Sequence, residues 1–263
     1  MSFADALAAS VKATEARILI IDIETSPHVA YVWGLWDQRV AVNQIVERGA
    51  VICFAAKWYA EPSITFRSVH HDGRDEMVHE AWRMMDAADI IVGYNHRAFD
   101  LKHLHREFIT AGLGPPSPHK DIDLLLVARR RFKFASNKLD NVARELDVGF
   151  KVQHSGFDLW RGCMDGDDKS WRQMRTYNRH DVVLTEEVYD RLRPWVPNHP
   201  NLNMYRGITV SACHACGSDR LETAGFKYTQ TRAYPQWRCT TCGAYSQATH
   251  SEATRTKHRK GAT

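Results

Sequence analysis

The chain has 263 residues, 44% of them hydrophobic, a size that suits one medium domain plus a small accessory module. No apolar run reaches the length of a membrane span, and the first fifteen residues, with Asp5, Lys12 and Glu15, lack the apolar core of a signal peptide, so a soluble cytoplasmic protein is expected. The net charge of +4 is uneven: from Arg206 onward nine Lys/Arg face three Asp/Glu, which points to a polyanionic partner such as nucleic acid, or to a solubilising tail.

In chain order, ARILIIDIETSP (residues 16–27) reads as a buried strand over 17–24 that ends in two acids. Asp22 and Glu24 are two residues apart, so on a strand they point to one face. Burying them requires pairing or a metal. In YVWGLWDQ (31–38), Tyr31, Trp33 and Trp36 are expected to pack the loop over the sheet, with stacking on terminal bases as the functional alternative. Strands are predicted over 51–58 and 63–69, then a helix over 75–88 with apolar spacing at Met77, Ala81, Met84 and Met85. DIIVGY (89–94) is a short buried strand. A helix follows over 98–111, then the breaker loop GLGPPSPH (112–119). Helices are predicted over 121–132, turning basic at Arg129–Arg131, over 137–146, with Asn137 and Asp140 as a cap, and over 169–192, stopped by Pro194 and Pro197. Strands followed by strand–helix alternation imply an α/β domain with a mixed sheet.

Two more acid sites stand out. YNHRAFD (94–100) leaves the DIIVG strand and opens a helix, placing Asp100 near its start. In YNRHD (177–181), Tyr177 and Asp181 are four apart and share a helix face. If Asp22, Glu24, Asp100 and Asp181 converge, their repulsion raises pKa values unless cations bind. Oxygen ligands favour Mg²⁺ or Mn²⁺. Two such ions roughly 4 Å apart stabilise both oxygens of a phosphodiester cleavage.

DIE at 22–24, N-x-x-x-F-D at 95–100 and Y-x-x-x-D at 177–181 resemble the three motifs of the DEDD 3′–5′ exonucleases, which include polymerase proofreading domains. SNKLDNVARELDVG (136–149) is similar to the segment between the second and third motifs of family-B polymerase exonuclease domains. Thr176 stands where the His-type subgroup carries histidine, so the chain looks like the Tyr-type subgroup. The resemblance implies a ribonuclease H-like mixed sheet flanked by helices. It also implies two catalytic Mg²⁺ or Mn²⁺ ions: Asp22 bridging both, Glu24 and Asp181 completing the water-activating site, Asp100 supporting the second. Tyr177 orients the attacking water, because a phenol with a pKa near 10 is a poor base. Thr25, Asn95 and Phe99 are the implied substrate contacts. The implied activity is release of nucleoside 5′-monophosphates from 3′ ends, single-stranded DNA before RNA, with a DNA polymerase or replication protein as partner. A nucleic-acid-binding adaptor with a vestigial core is the alternative from another class. Lys102, Arg106, Arg129, Arg130, Arg131, Lys133 and Lys138 are candidate phosphate contacts.

CHAC (213–216) and CTTC (239–242), 22 residues apart, carry Cys213, Cys216, Cys239 and Cys242. The spacing looks like a zinc ribbon holding one structural Zn²⁺, with Gly217 and Gly243 suited to the knuckle turns. The ribbon grips nucleic acid or docks a partner; the residues leave both open. The expected organisation is an N-terminal segment (1–16), a nuclease domain (17–197), a linker (198–208), the ribbon (209–250) and a basic tail (251–263).

Overall fold

The protein is described by a computed structural model, over residues 15–206 and 211–252. The N-terminal segment and basic tail lie almost wholly outside the described residues. The described residues form two compact units, one spanning Arg17–Asp190, the other including those from Arg191 onward. No described helix is long and apolar enough to cross a membrane.

The first unit is built on β1 (Ile18–Thr25), whose apolar run Ile18–Ile21 is at most 4% exposed. Burying each such side chain contributes roughly 1.5–3 kcal/mol relative to exposure, which makes this strand a rigid mount. After it comes a small hairpin of β2 (Val29–Ala30) and β3 (Ile45–Glu47). The chain then returns as β4 (Val51–Trp58), antiparallel to β1, and β5 (Thr65–Ser68), antiparallel to β4. Helix α1 (Arg74–Asp86) leads to β6 (Ile90–Gly93), parallel to β1; α2 (Asp100–Thr110) leads to β7 (Lys120–Asp123), parallel to β6. The sheet order is β5-β4-β1-β6-β7. Leu19, Ile21 and Ile23 pack with Met77, Val78, Leu101, Leu104 and Phe108 of α1 and α2. Alternation along the strand therefore sends Asp22 and Glu24 to the other face. Their β4 partners, Ala55 and Cys53, are small, which leaves room above the acids.

The remaining helices are α3 (Leu124–Arg131), α4 (Leu139–Glu145), α5 (Phe157–Met164) and α6 (Asp168–Leu192). Three expectations are corrected. Residues 120–123 are an edge strand, not the start of a helix, because β6 offers them a free parallel edge. The Asn137–Asp140 cap does not form: Asp140 instead accepts from the Lys151 amide, at 2.7 Å, and from Arg144. Tyr31, Trp33 and Trp36 do not pack on the sheet; they are 78%, 98% and 84% exposed, on a loop without regular structure.

In the C-terminal unit, α7 (Leu202–Arg206) precedes a three-stranded sheet of β8 (Leu221–Tyr228), β9 (Ala233–Cys239) and β10 (Tyr245–Gln247), in the order β10-β9-β8. Both cysteine pairs sit in matching turns. The Gly217 amide donates to the Cys213 carbonyl at 2.8 Å and the Gly243 amide to the Cys239 carbonyl at 2.9 Å. Both glycines adopt positive φ, 74° and 83°, which side chains disfavour.

Candidate active site

Carboxylate oxygens of Asp22, Glu24 and Asp181 lie within 4.8 Å of one another. Asp22 and Glu24 come from the end of β1, where the β1–β4 register slips between Glu24 and Thr25. Asp181 comes from α6, which crosses the same face. Asn178, one turn earlier on α6, donates to Asp22 Oδ2 at 2.7 Å and fixes its orientation. Asp100 is not one of the three within 4.8 Å, but it lies near enough to raise the Asp22 pKa. Its Oδ1 accepts the Ile23 amide at 3.0 Å, which ties the start of α2 to β1 between the two strand acids.

The turn that delivers Asp100 is tightly built. Asn95 has φ of 66°, and a Cβ on Gly93 would come within 2.7 Å of His96 Cβ. Asp123, at the end of β7, accepts the amides of Asn95 and Leu125 at 3.0 Å and of Arg97 at 3.2 Å. One buried carboxylate thus caps α3 and holds the turn. Asp123 carries no motif signature, although an acid directly before an apolar helical run is a recognisable N-cap signal.

The electrostatics are those of a site short of positive charge. Burial first, then Asp100, Glu24 and Asp181, raise the Asp22 pKa well above the usual range. Burial and Asp181 push Glu24 to about 8; burial pushes Asp100 to about 6. Asp181 is raised by burial against the pull of Lys151, and its buried Oδ1 has no hydrogen-bond partner. An orphaned hard oxygen beside two more carboxylates fits a divalent cation.

Lys151 supplies the nearest protein charge. Its Nζ donates to Asp181 Oδ2 and, at 3.0 Å, to the Tyr177 hydroxyl. Burial works against the ammonium, but Asp181 and Tyr177 outweigh it and raise its pKa. Burial and Asp181 raise Tyr177, so it stays a phenol. His154 packs edge-on against Tyr177 and Trp160, with centroids 4.9 and 5.2 Å away. Its Nδ1 accepts the Gly156 amide at 3.1 Å, which leaves the proton of the neutral ring on Nε2. Lys151 and His154 escaped the sequence reading because residues 151–155 carry no periodicity.

Asp22, Lys151, His154 and Tyr177 line an open cleft of about 810 Å³ together with Tyr94, Asn95, Arg129 and Lys138. Of the seven candidate phosphate contacts, Arg129 and Lys138 line it; Arg106 instead binds the Gly49 carbonyl and Glu107. Thr25 ends β1 beside the acids. Phe99 is not among the lining residues and packs on His103, with ring centroids 4.6 Å apart.

The raised acids make metal-free stability fall with pH. A carboxylate whose folded pKa is raised contributes stability below its unfolded value and loses it as pH climbs through the folded one. For Glu24 that window runs from about 4.5 to about 8. Without divalent ions, the Tm of the first unit is expected to fall across this window. Millimolar Mn²⁺ is expected to restore it at the alkaline end, and a Tm unmoved by Mn²⁺ at pH 8 would count against a cation site.

In the C-terminal unit, Cys213 and Cys242 Sγ are 3.6 Å apart, and Cys216 and Cys239 Sγ 3.7 Å. All four sulfurs lie within 4.8 Å of one another. A tetrahedron with metal–sulfur bonds of about 2.3 Å has edges of roughly 3.8 Å.

A family model described as RNase_H superfamily matches residues 19–193. The fold is similar to the structure of the family B DNA polymerase from the hyperthermophilic archaeon Pyrobaculum calidifontis, with a TM-score of 0.52 and 17% identity. That likeness covers 75% of this chain and 28% of the polymerase, and at this identity it speaks to the fold alone. No curated protein matches the chain.

Proposed function

We propose that this chain, which belongs to the RNase_H superfamily, is a metal-dependent 3′–5′ exonuclease of the Tyr-type DEDD group. The observation that carries this reading is the meeting of Asp22, Glu24 and Asp181 from two elements, with Tyr177 one turn before Asp181. Asp22, Glu24 and Asp181 would hold the divalent ions, two in number, with Asp100 supporting the second. Such ions supply charge stabilisation at the scissile phosphate and a lowered pKa for the attacking water.

The protein groups then have separate tasks. Asn178 keeps Asp22 turned toward the site. Tyr177, whose hydroxyl meets both Lys151 and Asp181, is held beside the metal ligands to orient the attacking water. The raised pKa supports that positioning role over proton abstraction. His154, in the lining of the cleft, offers a ring nitrogen to phosphate oxygens. Arg129 and Lys138 take the backbone of the strand, and the exposed Tyr31, Trp33 and Trp36 offer ring faces to terminal bases. Single-stranded DNA is the preferred substrate, on the resemblance of residues 136–149 to polymerase editing domains. RNA comes second, and a DNA polymerase or replication protein is the partner that resemblance implies. The four cysteines hold one structural Zn²⁺ in a ribbon whose expected start, residue 209, lies outside the described residues.

An end-labelled panel of single-stranded, duplex and mismatched DNA and of RNA, with Mg²⁺ or Mn²⁺ and chelator controls, tests the activity. Mononucleotides released from the 3′ end are expected. No release from any member would overturn the reading and favour the adaptor.

Lys151→Met is expected to lower kcat by about 100-fold with a smaller change in KM, because a charge-assisted contact to the site is removed. It is also expected to lower the metal-free Tm, since Asp181 loses its cationic partner. Mn²⁺ should recover the Tm but not the rate. A variant with wild-type kcat would make Lys151 a structural ion-pair partner only.

A further inference from the structure

We propose that His96 is a positioning residue for Asp100 and, through it, for the second of the two divalent ions; the proposal rests on the nuclease reading above. Residues 94–99 carry the chain from β6 to α2, which Asp100 opens. Of their side chains only that of His96 is fully buried, at 0% exposure. A polar ring in the core is costly unless the fold uses it. Neither ring nitrogen makes a hydrogen bond among the described residues. The ring lies instead between two carboxylates of β7: Nε2 is 3.5 Å from Asp121 Oδ1 and Nδ1 is 3.8 Å from Asp123 Oδ2. Asp121 Oδ1 is itself buried without a hydrogen bond. An imidazole suits this place because either nitrogen can carry a proton toward an acid.

The ring has little freedom, and its backbone transmits its position. A Cβ on Gly93 would come within 2.7 Å of His96 Cβ and 2.8 Å of Cγ, so the end of β6 closes over the ring. The residues on either side, Asn95 and Arg97, donate their amides to Asp123. The acids of β7 thus hold the turn at three successive residues. Asp121 and Asp123 are two apart on a strand and share a face, which gives the charged strand KDID a purpose. The His96 carbonyl accepts the Leu101 amide at 2.9 Å, one residue past Asp100. A tilt of the ring therefore shifts the first turn of α2. With it moves the Asp100 carboxylate, which meets β1 at the Ile23 amide, between Asp22 and Glu24.

The test counts Mn²⁺ bound to the full zinc-loaded chain, from the electron paramagnetic resonance signal of the free ion, with no nucleic acid present. Wild type is expected to bind two ions. His96→Phe fills the space but offers the acids no donor. It should leave the first ion in place and weaken the second by about tenfold. The Mn²⁺ concentration for half-maximal nucleotide release should rise by the same factor, with KM and kcat at saturating Mn²⁺ near wild type. A merely structural role would lower Tm without separating the two ions. Asp121→Asn, at the partly exposed sheet edge, should give a smaller shift in the same direction, and it decides if His96→Phe does not fold. His119 is not part of the turn, although its Nε2 lies 3.6 Å from the same Asp121 oxygen, so His119→Gln should leave the second ion unmoved. Two ions in wild type with an unmoved second ion in the His96 and Asp121 variants would overturn this assignment alone. An equal shift in His119→Gln would also overturn it and give the effect to β7 as a whole. Fewer than two ions in wild type would overturn the two-metal reading and this assignment with it.

Discussion

Asp22→Ala with Glu24→Ala is expected to abolish metal-dependent nucleotide release, a loss of at least about three orders of magnitude in kcat. The two acids supply two of the three carboxylates that meet within 4.8 Å, and Asp181 alone is no cation site. Binding of an oligonucleotide should survive, because Arg129 and Lys138 are untouched. The substitution most informative about energetics is the isosteric Asp22→Asn. Asp22 is crowded by burial and by Asp100, Glu24 and Asp181, so neutralising it removes a cost that the metal-free fold bears. An asparagine oxygen still accepts from Asn178. Asp22→Asn should therefore lose activity while gaining metal-free stability at pH 8; a gain of about 1 kcal/mol raises Tm by roughly 2–4 °C in a domain of this size. Loss of activity with no gain in stability would mean that the carboxylates are already neutralised by the protein. Residual activity within tenfold of wild type would remove Asp22 and Glu24 from the machinery altogether.

The legibility of this site in the sequence follows from the range of the forces that build it. Asp22 and Glu24 were readable because a strand alternates and four apolar residues announced a central one. Tyr177 and Asp181 were readable because a helix brings i and i+4 together. Asp100 was readable as the acid that opens a helix, although its tie to the Ile23 amide was not. What escaped depends on chain segments that meet only in the folded state. Lys151 reaches Asp181 across 30 residues from an irregular stretch, and Asp123 gathers amides from a turn nearly 30 residues earlier. The β7 strand was hidden because KDID is short and mostly charged, and only the free edge of β6 makes it a strand. The aromatic loop failed in the opposite sense. Its composition suggested burial, yet Trp33 is 98% exposed, so a large apolar side chain outside the core is itself the informative feature.

If the four cysteines hold zinc as proposed, chelation is expected to unfold the C-terminal unit, with the first unit unaffected. Its buried core of two cysteines and two alanines, flanked by Cys216, Leu221 and Cys242, is small. Ordering each residue costs about 1–2 kcal/mol in backbone entropy, and so few small apolar groups cannot offset that over the length of the unit. Zinc held by four thiolates supplies about 10–16 kcal/mol in comparable small modules. The thiols are unequal before the metal arrives. Burial opposes ionisation of Cys239, yet the amides of Cys242 and Thr241 outweigh it and lower its pKa to about 6. Burial raises Cys216 to about 11 and Cys242 higher still. Metal binding must therefore expel the protons that the raised thiols, Cys216 and Cys242, still carry. Cys239→Ser, or a strong chelator, should abolish amide-exchange protection over residues 221–247 while strands β1, β4 and β6 stay protected. Zinc content should fall from one ion per chain to a small fraction, and uptake by the wild-type apo form should acidify a weakly buffered solution. A metal-free wild-type chain with a fully protected hairpin would show instead that packing alone holds the four cysteines together, and the zinc assignment would fall.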